Sequence, residues 1–196
     1  MSEASQEPPP PGGQRPGADA PDVLLHVERA CAADGLPDDA TLTCWVKVAL
    51  AHADSAPSDA AELGLRIIDD AEGAALNQRY RGKPGPTNVL SFPFEAPPGL
   101  PPEAAAELAG QLGDLAICAP VLRREAAEQG KPLTAHTAHL LVHGTLHLLG
   151  YDHLESADAA GMEALETVIL AALGFPPPYE VSTDPTQHPI QAPHDE

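Results

Sequence analysis

Apolar positions follow two different periods along this chain. Short runs rich in leucine and β-branched residues, DVLLHVE at 22–28 and AELGLRII at 61–68, predict strands. TNVLSFPFE at 87–95 alternates Val/Ser and Leu/Phe and predicts a third strand. Its Pro93 suits a sheet edge, because proline gives no N–H to a ladder. GDLAICAP at 113–120 predicts a fourth strand. Helical spacing appears in TLTCWVKVALAHA, which starts from about Asp39 with Asp38 or Asp39 as cap. It appears again in AEGAALNQRY, capped by Asp69-Asp70 and broken by Gly82, Pro84, Gly85 and Pro86. Three more helices are predicted in VLRREAAEQ, TAHTAHLLVHGTLHLL and SADAAGMEALETVILAALG. The order β-α-β-α-β-β-α-α-α predicts an α+β (α/β) fold. Its core is a small four-stranded mixed sheet, mostly parallel with one antiparallel edge strand, packed by about five helices. The first two strands, joined through a helix, should be parallel with a right-handed crossover. Residues 96–112, rich in Pro and Ala, are expected to be a long, functional or mobile loop.

Composition changes this picture at the two ends. Of 196 residues, 23 are proline and 16 glycine. The excess gathers in residues 1–21, which include PPPPGGQRPG, and from residue 176 onward. Neither end can bury enough apolar surface to offset its ordering entropy. Composition alone ends the folded unit near Phe175. The three cysteines, Cys31, Cys44 and Cys118, form no CxxC and fit a reducing compartment. The first residues lack the basic and apolar regions of a signal peptide, and no apolar run approaches a bilayer's thickness. A cytoplasmic protein with no membrane partner is expected.

Charge narrows the function classes. Ten basic residues face 29 acidic ones, a net of −19. Bulk positive charge therefore cannot hold nucleic acid here, since phosphate rewards Lys and Arg. A local basic site stays open. Residues 73–94 contain no acid but hold Arg79, Arg81 and Lys83. Beyond Lys131 there is no Lys or Arg.

The chemistry is most concentrated among the nine histidines. His188 and His194 lie in the tail. His26 and His52 are isolated and read as satisfied structural residues. His143 and His147 are four apart and project from one helical face, one turn apart. Gly150 can end the helix in the left-handed conformation and return His153 toward them. Three imidazoles plus water is the open, catalytic pattern for zinc; a structural site takes four protein ligands. His139 is a candidate for a supporting or substrate-facing role, and His136 lies a turn earlier. The spacing H-x3-H-x2-G-x2-H matches that of the metzincin zinc peptidases, so the metal helix is metzincin-like. The glutamate those enzymes use as general base is replaced by Gly144, which speaks against peptide hydrolysis.

HGTLHLLGYDH at 143–153 resembles the signature HGxLHLxGYDH of the YbeY family of bacterial endoribonucleases. LNQRYRGKPGPTNVLSFPFE at 76–95 resembles that family's second hallmark, with KPGP where members often have KDKP. LGDLAICAP and MEALETVILAALGFPPPY fit as well, so the resemblance covers about residues 23–179. It implies a single metal-dependent endoribonuclease domain at 22–179, with tails at 1–21 and 180–196. It further implies a single-strand-specific nuclease acting in 16S rRNA 3′-end maturation and late ribosome quality control. One Zn²⁺ per chain is implied on His143, His147 and His153, with Arg81 and His143 as catalytic residues. The implied partners are single-stranded rRNA and the small ribosomal subunit with its assembly factors. Asp152, Ser91 and Lys83 join His139 as supporting or substrate-facing candidates, and Phe92 is a candidate for core packing or for base stacking. Two other readings compete: a zinc peptidase-like hydrolase, and a non-catalytic assembly factor with a structural metal.

Overall fold

Two aspartates set where the first long helices begin. The Asp38 carboxylate accepts from the Thr41 N–H at 2.8 Å, and Asp69 from the Glu72 N–H at 2.9 Å. Each satisfies a donor that a helix start leaves unpaired. The computed structural model describes residues 21–57, 59–151 and 156–179, with the backbone alone at 156–158. Asp152, His153, His188, His194 and nearly all of both predicted tails lie outside these described residues.

The chain runs β1 (Asp22–Arg29), α1 (Asp39–His52), β2 (Ala60–Ile68), α2 (Asp70–Arg81), β3 (Val89–Pro93), α3 (Pro102–Glu107), β4 (Gln111–Cys118), α4 (Ala119–Glu128), α5 (Leu133–Leu148) and α6 (Ser156–Ala172). The sheet order is β1-β2-β4-β3. β1 and β2 pair in parallel, as do β2 and β4, while β3 runs antiparallel to β4 at one edge. This is the predicted mixed sheet. A sixth helix, α3, lies inside the 96–112 stretch that composition presents as a loop. Its six residues, PEAAAE, bury nothing, so they carry no apolar period to reveal them. The third strand is shorter than its alternation suggests. The fourth strand stops at Cys118, where Pro120 suits the first turn of α4.

Strand alternation sorts the core into two layers. Leu63, Leu65, Val89, Leu115 and Ile117 face α1, α5 and α6, against Leu42, Val46, Leu141, Leu146 and Ile169. Ile68, Leu90, Ala116 and Cys118 face the other way, toward Val121 on α4 and Leu76 on α2. Covering both faces suits a largely parallel sheet. A bulge marks the pairing of the two inner strands, β2 and β4. Glu62 aligns with Gln111 but Leu63 with Gly113, leaving Leu112 extra. Gly113 has φ +116°, and a Cβ there would sit 2.1 Å from the Phe92 carbonyl oxygen. Only glycine accepts both conditions.

Candidate metal centre

α5 is the central helix of the larger layer. Leu141, Val142 and Leu146 are fully buried, and the buried Thr145 hydroxyl donates to the Leu141 carbonyl at 2.8 Å. Gly144 lets the helix close on the sheet, since a Cβ there would lie 2.9 Å from Leu115 Cδ2 and 3.3 Å from Val89 Cγ2. The helix then ends in a Schellman turn. Gly150 N–H donates to the His147 carbonyl at 3.0 Å and Tyr151 N–H to the Leu146 carbonyl at 3.1 Å, with Gly150 at φ +86°. Tyr151 is anchored by the Asp54 N–H, which donates to its hydroxyl at 3.2 Å. The sequence prediction of a left-handed stop at Gly150 matches this geometry.

His136, His139, His143 and His147 form one stripe along α5. Nε2 of His143 and Nε2 of His147 face each other at 3.1 Å. On its other side, His143 Nδ1 donates to Glu166 Oε1 at 2.7 Å. His139 Nε2 donates to Glu166 Oε2 at 3.3 Å, and the Tyr179 hydroxyl donates to the same oxygen. Glu166 is 0 % exposed. Burial alone would raise its carboxyl, but hydrogen bonds from His139, His143 and Tyr179 outweigh that and hold it at about 2. Loss of hydration and the adjacent carboxylate push the Tyr179 phenol above its ordinary value. Glu166 is thus an ionised acceptor and Tyr179 a protonated donor. With the Nδ1 proton of His143 committed to Glu166, its Nε2 lone pair points at His147. The two Nε2 atoms can share one proton or one cation. His143 keeps 26 % of its side chain exposed and His139 17 %, so this part of the stripe reaches solvent.

Comparison with known proteins decides what this arrangement belongs to. The family described as Endoribonuclease YbeY matches residues 35–174. The protein named Endoribonuclease YbeY of Alkalilimnicola ehrlichii is 53 % identical over 164 residues, covering 83 % of this chain and 95 % of its own length. This chain belongs to the YbeY endoribonuclease family. The solution structure of TM1509 from Thermotoga maritima aligns at 20 % identity with a TM-score of 0.47, over 76 % of this chain and 89 % of that one.

The positions that the YbeY resemblance singles out fall into distinct places. His139, His143 and His147 lie together on α5. Ser91, on β3, faces α5, and its hydroxyl lies 3.4 Å from the Gly144 carbonyl oxygen between the two facing histidines. Arg81 ends α2, exposed, and Lys83 follows beyond the left-handed Gly82. Among the described residues no hydrogen bond or ion pair joins Arg81 to the histidines. Nor do the described residues hold a cluster of three or more potential metal ligands, the third expected ligand, His153, lying outside them. Phe92 is on the sheet face opposite α5, packed edge-on against Tyr80 at 4.9 Å. Strand alternation turns it away from the histidines and into this contact, which is the core-packing alternative. His136 is 4 % exposed and pairs with Glu125 at 2.9 Å, a structural residue. Sequence reasoning passed over Glu166 and Tyr179. Glu166 was detectable as an acid inside an apolar stripe, with Met162, Ile169 and Leu170 at helical spacing. Tyr179 sits among prolines whose composition reads as tail.

Proposed function

We propose that this chain is a zinc-dependent, single-strand-specific endoribonuclease acting in the cytoplasm on 16S rRNA 3′ ends, in concert with the small ribosomal subunit and its assembly factors. The observation that carries the proposal is the pair of imidazole Nε2 atoms facing each other at 3.1 Å, backed by a buried carboxylate on the outer ring nitrogen of His143. Neutral imidazoles whose other nitrogen donates to a carboxylate are the usual first ligands of zinc. His143 and His147 would hold one ion per chain, with His153 as third ligand. Such an ion makes water acidic near neutral pH and polarises a phosphoryl oxygen.

The chain's own groups supply the rest. Arg81, planar and permanently charged, would pair with the phosphate and offset charge developing on it. Lys83 adds a second cation beside the same turn. Ser91 would steady the RNA backbone along the edge strand, while Asp152 and His139 support the ligands. The working unit is residues 22–179, the tails at 1–21 and 180–196 lying outside it. Gly144 faces the sheet in tight contact with Leu115, so position 144 supplies no carboxylate next to His143, which disfavours peptide cleavage by the metzincin route. No helix among the described residues is long and apolar enough to cross a membrane.

Complementation separates a nuclease from a non-catalytic assembly factor. His143→Ala and Arg81→Ala, each expressed as folded protein in a deletion strain, should leave 16S 3′ ends unprocessed. Full processing with a folded, metal-free His143→Ala variant would rule the nuclease reading out.

A further inference from the structure

The carboxylate that fixes His143 does not come from its own helix. Glu166 lies on α6, and both of its oxygens are engaged. Oε1 accepts from His143 Nδ1, while Oε2 accepts from His139 Nε2 and the Tyr179 hydroxyl. A neutral imidazole has one donor and one acceptor nitrogen, so the bond to Oε1 decides which nitrogen of His143 keeps a lone pair. The bonds to Oε2 stop the carboxylate from turning away.

Tyr179 is itself held by a built segment. α6 ends in a second Schellman turn, with Gly174 at φ +82°, Gly174 N–H donating to the Ala171 carbonyl and Phe175 N–H to the Leu170 carbonyl. The Phe175 ring then packs edge-on to Trp45 at 5.4 Å. Lys131 Nζ donates to the Pro178 carbonyl at 2.8 Å, and the Tyr179 ring meets His139 edge-on at 5.5 Å. The proline run therefore delivers one hydroxyl to one buried carboxylate.

We propose that Glu166 is the positioning residue of the metal centre, setting the ring orientation and tautomer of His143, and that Tyr179 locks Glu166 in place. Metal affinity is thereby tied to docking of residues 175–179. The proposal rests on the metal reading above but not on the RNA one.

Its test uses the full chain without RNA. Zn²⁺ affinity is measured by competition with a chromophoric chelator for wild type, Glu166→Leu, Glu166→Gln and Tyr179→Phe, with circular dichroism of each metal-free protein as the folding control. Glu166→Leu should bind zinc about 10- to 100-fold more weakly. Tyr179→Phe should lose roughly 3- to 10-fold, and Glu166→Gln, which keeps a neutral acceptor, should fall between. Nitrogen-15 NMR of the metal-free protein should show His143 protonated at Nδ1 in wild type and a tautomer mixture in Glu166→Leu. A merely structural role would lower stability and leave both readouts of the folded protein unchanged. If Glu166→Leu does not fold, Tyr179→Phe decides, because it removes only the hydroxyl and keeps the ring packing. Wild-type affinity in the folded variants overturns the proposal alone. A wild-type chain that binds no zinc overturns the metal reading and the proposal with it.

Discussion

At the residue scale, the two carboxylates packed against α5, Glu125 and Glu166, are held by histidines of that helix. Glu125 accepts from His136 and from the Asn88 amide, at 3.1 and 3.2 Å to its two oxygens, tying α4, α5 and the entry to β3 together. Burial would raise its carboxyl, but His136 and Asn88 outweigh this, with help from Arg124, and it lies below the ordinary glutamate value. A depressed carboxyl contributes stability that is present above its unfolded pKa, about 4.3, and lost as pH falls through the folded value. Urea unfolding between pH 6 and roughly 3 should therefore show a steep loss below about pH 4 in wild type. Glu125→Gln should start lower and fall less over the same range; a parallel decline would show that the trio is not linked to proton uptake. At this scale the sequence revealed local relationships only. His143, His147 and Gly150 were legible because helix geometry fixes who shares a face and where a left-handed stop fits. Glu166 and Tyr179 were not, since their meeting depends on how α6 crosses α5.

At the element scale, the seat of α5 against the sheet governs what chemistry is available. Gly144 abuts Leu115 and Val89, and Ser91 from the edge strand lies over its carbonyl. Gly144→Glu, which rebuilds the zinc-peptidase pattern, would force Leu115 aside and place a carboxylate in apolar surroundings. Overpacking of this kind costs about 1–3 kcal/mol, and the stranded charge adds to it. A lower urea midpoint without new peptidase activity is expected; wild-type stability or peptide cleavage would contradict this packing account. Element boundaries show where pattern reading ends. The alternation in TNVLSFPFE runs past both ends of β3, because alternation records which side chains face a core and not where pairing stops. α3 escaped for the opposite reason, having no buried face.

At the scale of the whole molecule, a net charge of −19 frames how RNA is met. The acid-free stretch from 73 to 94 ends α2 with Arg79 and Arg81, continues through Lys83, and leads into the edge strand beside α5. Few phosphates can be neutralised there. Binding of a single-stranded oligonucleotide should follow a log–log salt slope of about −1.5 to −2, since each phosphate contact on a single strand contributes roughly −0.7. Arg81→Ala should reduce that slope by about 0.7. A much steeper slope, unaffected by Arg81, would place the RNA on some other surface. On the proposed reading, a cation on the α5 histidines is required for RNA cleavage. The most direct measurement follows a labelled single-stranded RNA with purified protein that has been stripped by a chelator and then reloaded with zinc. Cleavage should disappear on stripping, return on reloading, and be absent from folded His147→Ala. Cleavage at the wild-type rate by the stripped protein or by His147→Ala would contradict the account.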